Sequence, residues 1–270
     1  MSAAPVPLRP LPAGRRWLPA LGFWWTQYRR TWISSVVSRF LMPVLFLVSM
    51  GLMLGGLVDR AAGGVGGVPY VQFVVPGILA AQAMWTAVGE STYSVLGALR
   101  WTRQYHAMLA TPLGVSDVLL GHLVYVALSI AFGTVVFAVV AALFGAWASW
   151  LVVLAVPVAV LTGMAFALPC FAVAAQFTDS ADNSFSVIYR LVVTPLFLVS
   201  GTFFPVEHLP ALLRPVAWVT PLWHGVAASR SLAGGTPDWP GVAGHVLVLV
   251  VMTAAGAWWA WRAFRRRLVV

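Results

Sequence analysis

The stretch VLLGHLVYVALSIAFGTVVFAVVAALF, residues 118–144, runs for 27 positions without an Asp, Glu, Lys or Arg. As a helix rising 1.5 Å per residue it would be about 40 Å long, more than the ~30 Å of a hydrocarbon core. After a gap of five residues, WLVVLAVPVAVLTGMAFALPCFAVAAQF, residues 150–177, repeats the pattern. The gap holds a tight hairpin around 146–149, so the two runs read as antiparallel membrane crossings, both long enough to tilt. Only helices and closed barrels satisfy their backbone inside lipid. Continuous apolar runs of this length select the helix.

Working outward, four further apolar runs fall at 40–58, 76–96, 185–204 and 242–261, giving an all-α integral membrane protein of six transmembrane helices. The composition agrees: 61% of the 270 residues are hydrophobic and 9% charged, against roughly 45–50% and 25% in soluble domains. Two regions are expected: 1–39, a tail with an interfacial helix, and 40–270, a single six-span domain. No small-residue cleavage site follows the first apolar run, so it is expected to stay attached.

The formal charge of +9 does not point to nucleic acid, because the cations flank apolar segments instead of forming a basic face with base-reading partners. All sixteen basic residues are arginine, a coding bias that suggests a GC-rich, bacterial source. Basic residues in short loops stay on the cytoplasmic side. With the N-terminus inside, thirteen arginines fall inside and three, Arg60, Arg214 and Arg230, outside. Both termini are therefore expected in the cytoplasm, with the protein in the bacterial plasma (inner) membrane.

Several local features carry more information. Trp17, Leu21, Trp24, Trp25, Tyr28 and Trp32 recur every three to four residues among arginines, the pattern of an interfacial helix. The Gly-rich segment 63–67 reads as a loop. Pro205, Pro210, Pro215 and Pro221 cut the apolar stretch from Phe203 to about Leu232 into pieces too short to cross, predicting a re-entrant outer element of one or two short helices with Glu207 and His208 at its turn. Between the second and third spans, Trp101, Tyr105, Met108 and Leu109 share one helical face beside Arg103, with Pro112 as the stop. Such a helix can lie on the membrane or enter a partner's groove.

Chemistry is sparse. A phosphate-binding loop ending Gly-Lys-Ser/Thr needs a lysine, and the chain has none. Neither a zinc helix of His-Glu-x-x-His type nor a Gly-x-Ser-x-Gly turn occurs, and no metal or catalytic residue is expected. Cys170, the single cysteine, lies in an apolar run and reads as packing. Asp179 and Asp182 read as caps before the fifth span. The best polar feature is in the second span, where Gln82, Thr86, Glu90 and Tyr93 fall on about a third of the circumference. An acid at that depth is expected to face the bundle interior or a cavity, or else to be protonated, and reads as a pathway lining, a conformational latch or a hydrogen-bonded structural carboxyl.

Four blocks, VPGILA at 75–80, YHAMLATPL at 105–113, SGTFFP at 200–205 and TPLWHG at 220–225, resemble in order and spacing the permeases of ABC type-2 exporters, in particular the nodulation lipo-oligosaccharide and daunorubicin-resistance branch. The resemblance covers roughly 69–232. It implies a homodimer, or a close heterodimer, docked on two ABC ATPase subunits that bind ATP and Mg, with no cofactor in this chain. It also implies that the loop of Trp101, Arg103, Tyr105, Met108 and Leu109 is the coupling helix, and that the segment of Pro205, Glu207, His208 and Pro210 is the family's re-entrant element. The implied function is outward movement of an amphiphile, a hydrophobic drug or lipid-linked saccharide, by alternating access. Two rivals remain, an ion-coupled carrier and a membrane-embedded lipid-modifying enzyme. The first would show several ionisable groups on its path and an internal repeat, the second convergent catalytic residues.

Overall fold

A computed structural model describes residues 12–65, 67–177 and 184–269, so Asp179, Asp182 and most of the proline-rich tail lie outside the described residues. The described chain is helical. Helix α1 (Trp17–Phe46) passes into a π-helical stretch (Leu47–Leu54) and then α2 (Gly55–Ala62). Next come α3 (Tyr70–Ser91), α4 (Tyr93–Arg100), α5 (Gln104–Leu109), α6 (Val115–Leu143) and α7 (Val152–Gln176). Helices α8 (Ser184–Ile188) and α9 (Thr194–Val199) are joined by a π turn, and α10 (Arg214–Val219), α11 (Pro221–Ala233) and α12 (Trp239–Leu268) follow.

Among the described residues, five segments are long and apolar enough to cross a membrane: Arg39–Ala61, Tyr70–Arg100, Val115–Leu143, Val152–Gln176 and Trp239–Leu268. The segment expected as the fifth of six spans is shorter, Phe185–Val199, about 22 Å of helix against a ~30 Å core. It stops there because Gly201 adopts φ 80°, which turns the chain at the start of the proline-rich region. The interfacial segment is also not separate. Helix α1 runs unbroken through residue 39, so the aromatic stripe and the start of the first crossing form one rod.

Helix α7 is the centre, packed by α3, α6, α11 and α12. Lipid tails are as apolar as leucine, so close backbone approach rather than water release drives such contacts. A Cβ on Gly163 would lie 2.9 Å from the Ala83 carbonyl, and one on Gly225 2.2 Å from Thr162 Oγ1. Only glycine lets α3 and α11 come this near. The α6–α7 hairpin turns at Gly145, φ 67°, and is tied by the Trp147 indole donating to the Ala138 carbonyl at 2.9 Å.

The proline-rich stretch forms the predicted short elements, a 3-10 turn (Val206–His208), α10 and α11. Thr220 caps α11 by accepting from the Trp223 N–H at 3.3 Å, and Pro221 takes the first helical position, where its missing N–H costs nothing.

Candidate functional site

Glu90 sits two residues before a break. Helix α3 ends at Ser91, Thr92 adopts φ −103° and ψ −95°, and α4 begins at Tyr93. Glu90 Oε1 lies 3.3 Å from Arg39 Nη2 and accepts from the Ser129 hydroxyl at 3.0 Å. Arg39 also donates to the Ser129 hydroxyl at 2.6 Å and to the Ser129 carbonyl. Three long helices, α1, α3 and α6, thus meet in one charged cluster, with Arg39 12% and Glu90 25% exposed.

The second-span polar positions do not form a single lining. Tyr93 faces away from this cluster, its hydroxyl 3.0 Å from Ser186 Oγ and its ring edge-on to Phe185, because the break at Thr92 shifts the register. Gln82 and Thr86 are half-buried. Sequence reading counted Arg39 among the flanking cations and missed it as the partner of Glu90. Its position at the head of an apolar run was the available signal.

The loop after the second long segment departs from the single amphipathic helix expected. The Trp101 N–H, Thr102 N–H and Thr102 hydroxyl all converge on the Gly97 carbonyl at 3.0, 3.0 and 3.1 Å, closing α4. Arg103 then takes a left-handed conformation, φ 49°, which for a non-glycine residue costs about 1–3 kcal/mol and recurs at functional positions. Only Gln104–Leu109 is helical. Trp101 is therefore off the shared face and 62% exposed, whereas Tyr105 is completely buried and Met108 and Leu109 are half-buried.

Tyr105 is anchored in the bundle. Its hydroxyl is 2.5 Å from His122 Nδ1 on α6, and its ring meets Phe264 of α12 edge-on. The His122 ring stacks on Trp24 of α1 at 3.7 Å. Burial raises the Tyr105 hydroxyl well above the ordinary tyrosine range, so the contact is held in its neutral form. Around this foot, Trp101, Thr102, Arg103, His106 and Ala107 are exposed. Trp24 was read only as part of the interfacial stripe and its stacking on His122 was not legible, since a lone histidine in an apolar run gives no sign of its neighbours.

A third junction lies at the opposite end of α3. Arg230 of α11 donates to the Phe73 carbonyl at 3.1 Å and the Gly201 carbonyl at 3.0 Å, with its guanidinium 3.9 Å over the Phe73 ring. A Cβ on Gly77 would sit 2.9 Å from the Thr202 carbonyl. Two of the sequence blocks, around Gly77 and Gly201, therefore meet here beneath one arginine that the sequence reading assigned only to an outer loop. Nearby in the chain, Pro205 opens the 3-10 turn that carries Glu207 and His208, both exposed, and Pro210 follows it. The Glu207 carbonyl, not its carboxylate, accepts from Arg214 at 2.7 Å. His224 and His245 bring their Nδ1 atoms to 2.9 Å, linking α11 to α12.

Comparison with known proteins identifies the family. The family described as ABC-2 type transporter matches residues 23–233. Nodulation protein J of Rhizobium leguminosarum bv. trifolii is 33% identical over 219 residues, 80% of each chain. The protein of the same name from Rhizobium meliloti (strain 1021) is 32% identical over 77% of this chain and 80% of its own. The inner membrane transport permease YadH of Escherichia coli (strain K12) is 26% identical over 73% of this chain and 74% of its own. The matched region contains α3, the Tyr105 loop, α6, α7, the proline-rich elements and α11, and the chain belongs to the ABC-2 type transporter family as a multi-pass membrane permease subunit.

Proposed function

We propose that two copies of this chain, or one copy and a close relative, pair with two ABC ATPase subunits to export an amphiphile across the bacterial plasma membrane, with both termini cytoplasmic. ATP and Mg are bound by the ATPases. The observation that carries the reading is the loop between α4 and α6: a fully buried foot, Tyr105, below an exposed and strained crown of Trp101, Arg103 and His106. A partner pressing on the crown moves the foot. The foot touches α6 through His122 and α12 through Phe264, and α1 lies beyond His122 through Trp24. Displacing α1 against α6 loads the Arg39–Glu90–Ser129 cluster, which acts as a latch between alternating states. The apolar, charge-poor spans suit a hydrophobic drug or lipid-linked saccharide as cargo.

The test uses the reconstituted complex. Trp101→Ala with Arg103→Ala removes an aromatic anchor and a charge from the crown without touching the buried foot. Anchors of this kind contribute about 2 kcal/mol or more, so retention of the ATPase on purification should fall at least about tenfold, and substrate-stimulated ATP hydrolysis with it. Unchanged copurification and coupling would reject the docking role. An ion-coupled carrier would instead transport without any ATPase.

A further inference from the structure

Helix α11 is tied to its three long neighbours by three kinds of contact. Toward α3, Arg230 donates to the Phe73 carbonyl. Toward α7, Gly225 lets Thr162 approach into space that a Cβ would fill. Toward α12, His224 and His245 meet Nδ1 to Nδ1 at 2.9 Å, the one side-chain hydrogen bond between those two helices among the described residues. Both rings are half-buried and lie edge-on to the Trp223 indole, with centroids 4.9 and 5.0 Å away. A guanidinium stays charged throughout the physiological range and a glycine contact carries no charge. Only the histidine tie can change its charge between about pH 5 and pH 8.

The hydrogen count decides when that tie holds. A neutral imidazole has one N–H, so one Nδ1 can donate while the other presents its lone pair. One added proton leaves this arrangement possible, because an imidazolium still donates to a neutral ring. A second proton does not: both Nδ1 atoms then carry hydrogens, and two like charges face each other at contact distance. The contact is therefore present at neutral pH and lost as pH falls through the second protonation. Burial, and after it the charge of His245, hold the His224 imidazole below the ordinary histidine range. Few other charges lie on the elements packed around the pair. Helix α7 contains no Asp, Glu, Arg or His, and α3 contributes Tyr70 and Glu90, the latter already paired with Arg39. Helix α10 contributes Arg214, bonded to the Leu209 and Glu207 carbonyls. Asp238, at the start of α12, is the carboxylate that acts on His245.

The two halves of α12 are held differently. In its C-terminal half, Gly256 fits against Leu168 and Pro169 of α7, and Phe264 is fully buried against Tyr105 and Phe171. His245 lies about three turns before Gly256. In this N-terminal half Trp239, Leu247, Val250 and Val251 are exposed, and Val242 and Leu249 are the buried side chains. We propose that the His224–His245 pair is a pH-sensitive strap, which holds the N-terminal half of α12 to α11 while at most one ring is charged and releases it when both are. The strap is a property of this chain alone and does not depend on the exporter reading.

The test uses the full-length chain in phosphatidylcholine nanodiscs, which expose both faces, without any ATPase. Spin labels on Val153→Cys and Leu247→Cys, both exposed positions, in a Cys170→Ala background report the separation of α7 and α12 by pulsed electron paramagnetic resonance. One distance is expected at about pH 8, and a longer one should become the major population at about pH 5 and revert on neutralisation. His245→Asn places an amide where the ring Nδ1 was, and its oxygen accepts from a charged His224, so this variant should keep the short distance at both values. His224→Asn makes the same test from the other helix. His208→Asn removes an exposed histidine outside the pair and should leave the acid change intact. An unchanged distance in the wild-type pair at acid pH would overturn the proposal, whichever variants fold. So would the same acid change in either pair variant, or its loss in His208→Asn.

Discussion

Arg39 and Glu90 should behave energetically as one unit, and a double-mutant cycle measures that. Removing one partner of a buried ion pair typically costs about 3–5 kcal/mol, chiefly because the other charge stays buried without compensation. Here the side chains are 12% and 25% exposed, and Ser129 remains bonded to whichever partner survives. That lowers the expected cost of Glu90→Met or Arg39→Met to about 2–3 kcal/mol. For a chain of this size 1 kcal/mol corresponds to about 2–4 °C, so each single variant should unfold roughly 4–12 °C lower. The double variant buries no stranded charge and should return to within about 1 kcal/mol of the wild type. The assay is thermal unfolding in one detergent at one fixed scan rate, since membrane proteins unfold irreversibly and the midpoint depends on the rate. If the double variant instead lost the sum of the two single losses, the residues would not interact and the latch would have no basis.

Tyr105→Phe should lower stability by about 1–3 kcal/mol, the usual cost of stranding a buried partner, here His122 Nδ1, and Tyr105→Ala by about 3–5 kcal/mol through the cavity it leaves. Because the folded hydroxyl titrates well above the ordinary value of 10.0, the unfolded chain loses this proton first as pH rises. Stability is therefore fully present below about pH 10 and declines above it, and Tyr105→Phe should flatten that alkaline decline in unfolding temperature. Gly225→Ala forces a methyl to 2.2 Å from Thr162 Oγ1 and should cost about 1–3 kcal/mol, with Thr162→Ala partly restoring the unfolding temperature. For orientation, single cysteines at Gly64 and Gly235 in a Cys170→Ala background should react with an impermeant maleimide added outside intact cells, and cysteines after Arg103 should not.

What was legible in the sequence follows from how lipid constrains a chain. Residues 118–144 and 150–177 had to be crossings, because an uninterrupted apolar run of that length has no other stable solution in a membrane. Four prolines in seventeen positions, 205–221, likewise had to break the next stretch into short pieces. Pairings between distant positions were not legible. Arg39 and Glu90 are 51 residues apart, and an arginine at the edge of an apolar run looks the same whether it faces headgroups or reaches back to a carboxylate. The Tyr105 face illustrates the same limit. Periodicity identifies an apolar face, but it cannot say whether the cover is a partner or the protein's own α6 and α12. The fifth crossing was read too long because hydropathy continues through Phe203 and Phe204 while the backbone has already turned at Gly201.

Arg39 and Arg230 explain why arginine, and not merely positive charge, is needed in this bundle. Each uses its guanidinium on backbone carbonyls as well as on side chains or rings: Arg39 on Ser129, Arg230 on Phe73 and Gly201. A lysine ammonium is a compact, strongly hydrated charge and cannot span such a planar set of acceptors. The two arginines hold opposite ends of α3, Arg230 at Phe73 and Arg39 at Glu90. Beyond Glu90 the backbone breaks at Thr92, and α4 leads directly to the Tyr105 loop. Along the chain from that loop the break comes first and the Arg39 contact immediately after it, while Arg230 ties the far end of α3 to the backbone at Gly201, where the proline-rich elements begin. On the proposed exporter reading, a helix pinned at one end and held at the other, with its bend beside the Arg39 contact, is the element through which a push on the loop reaches α1 and α6.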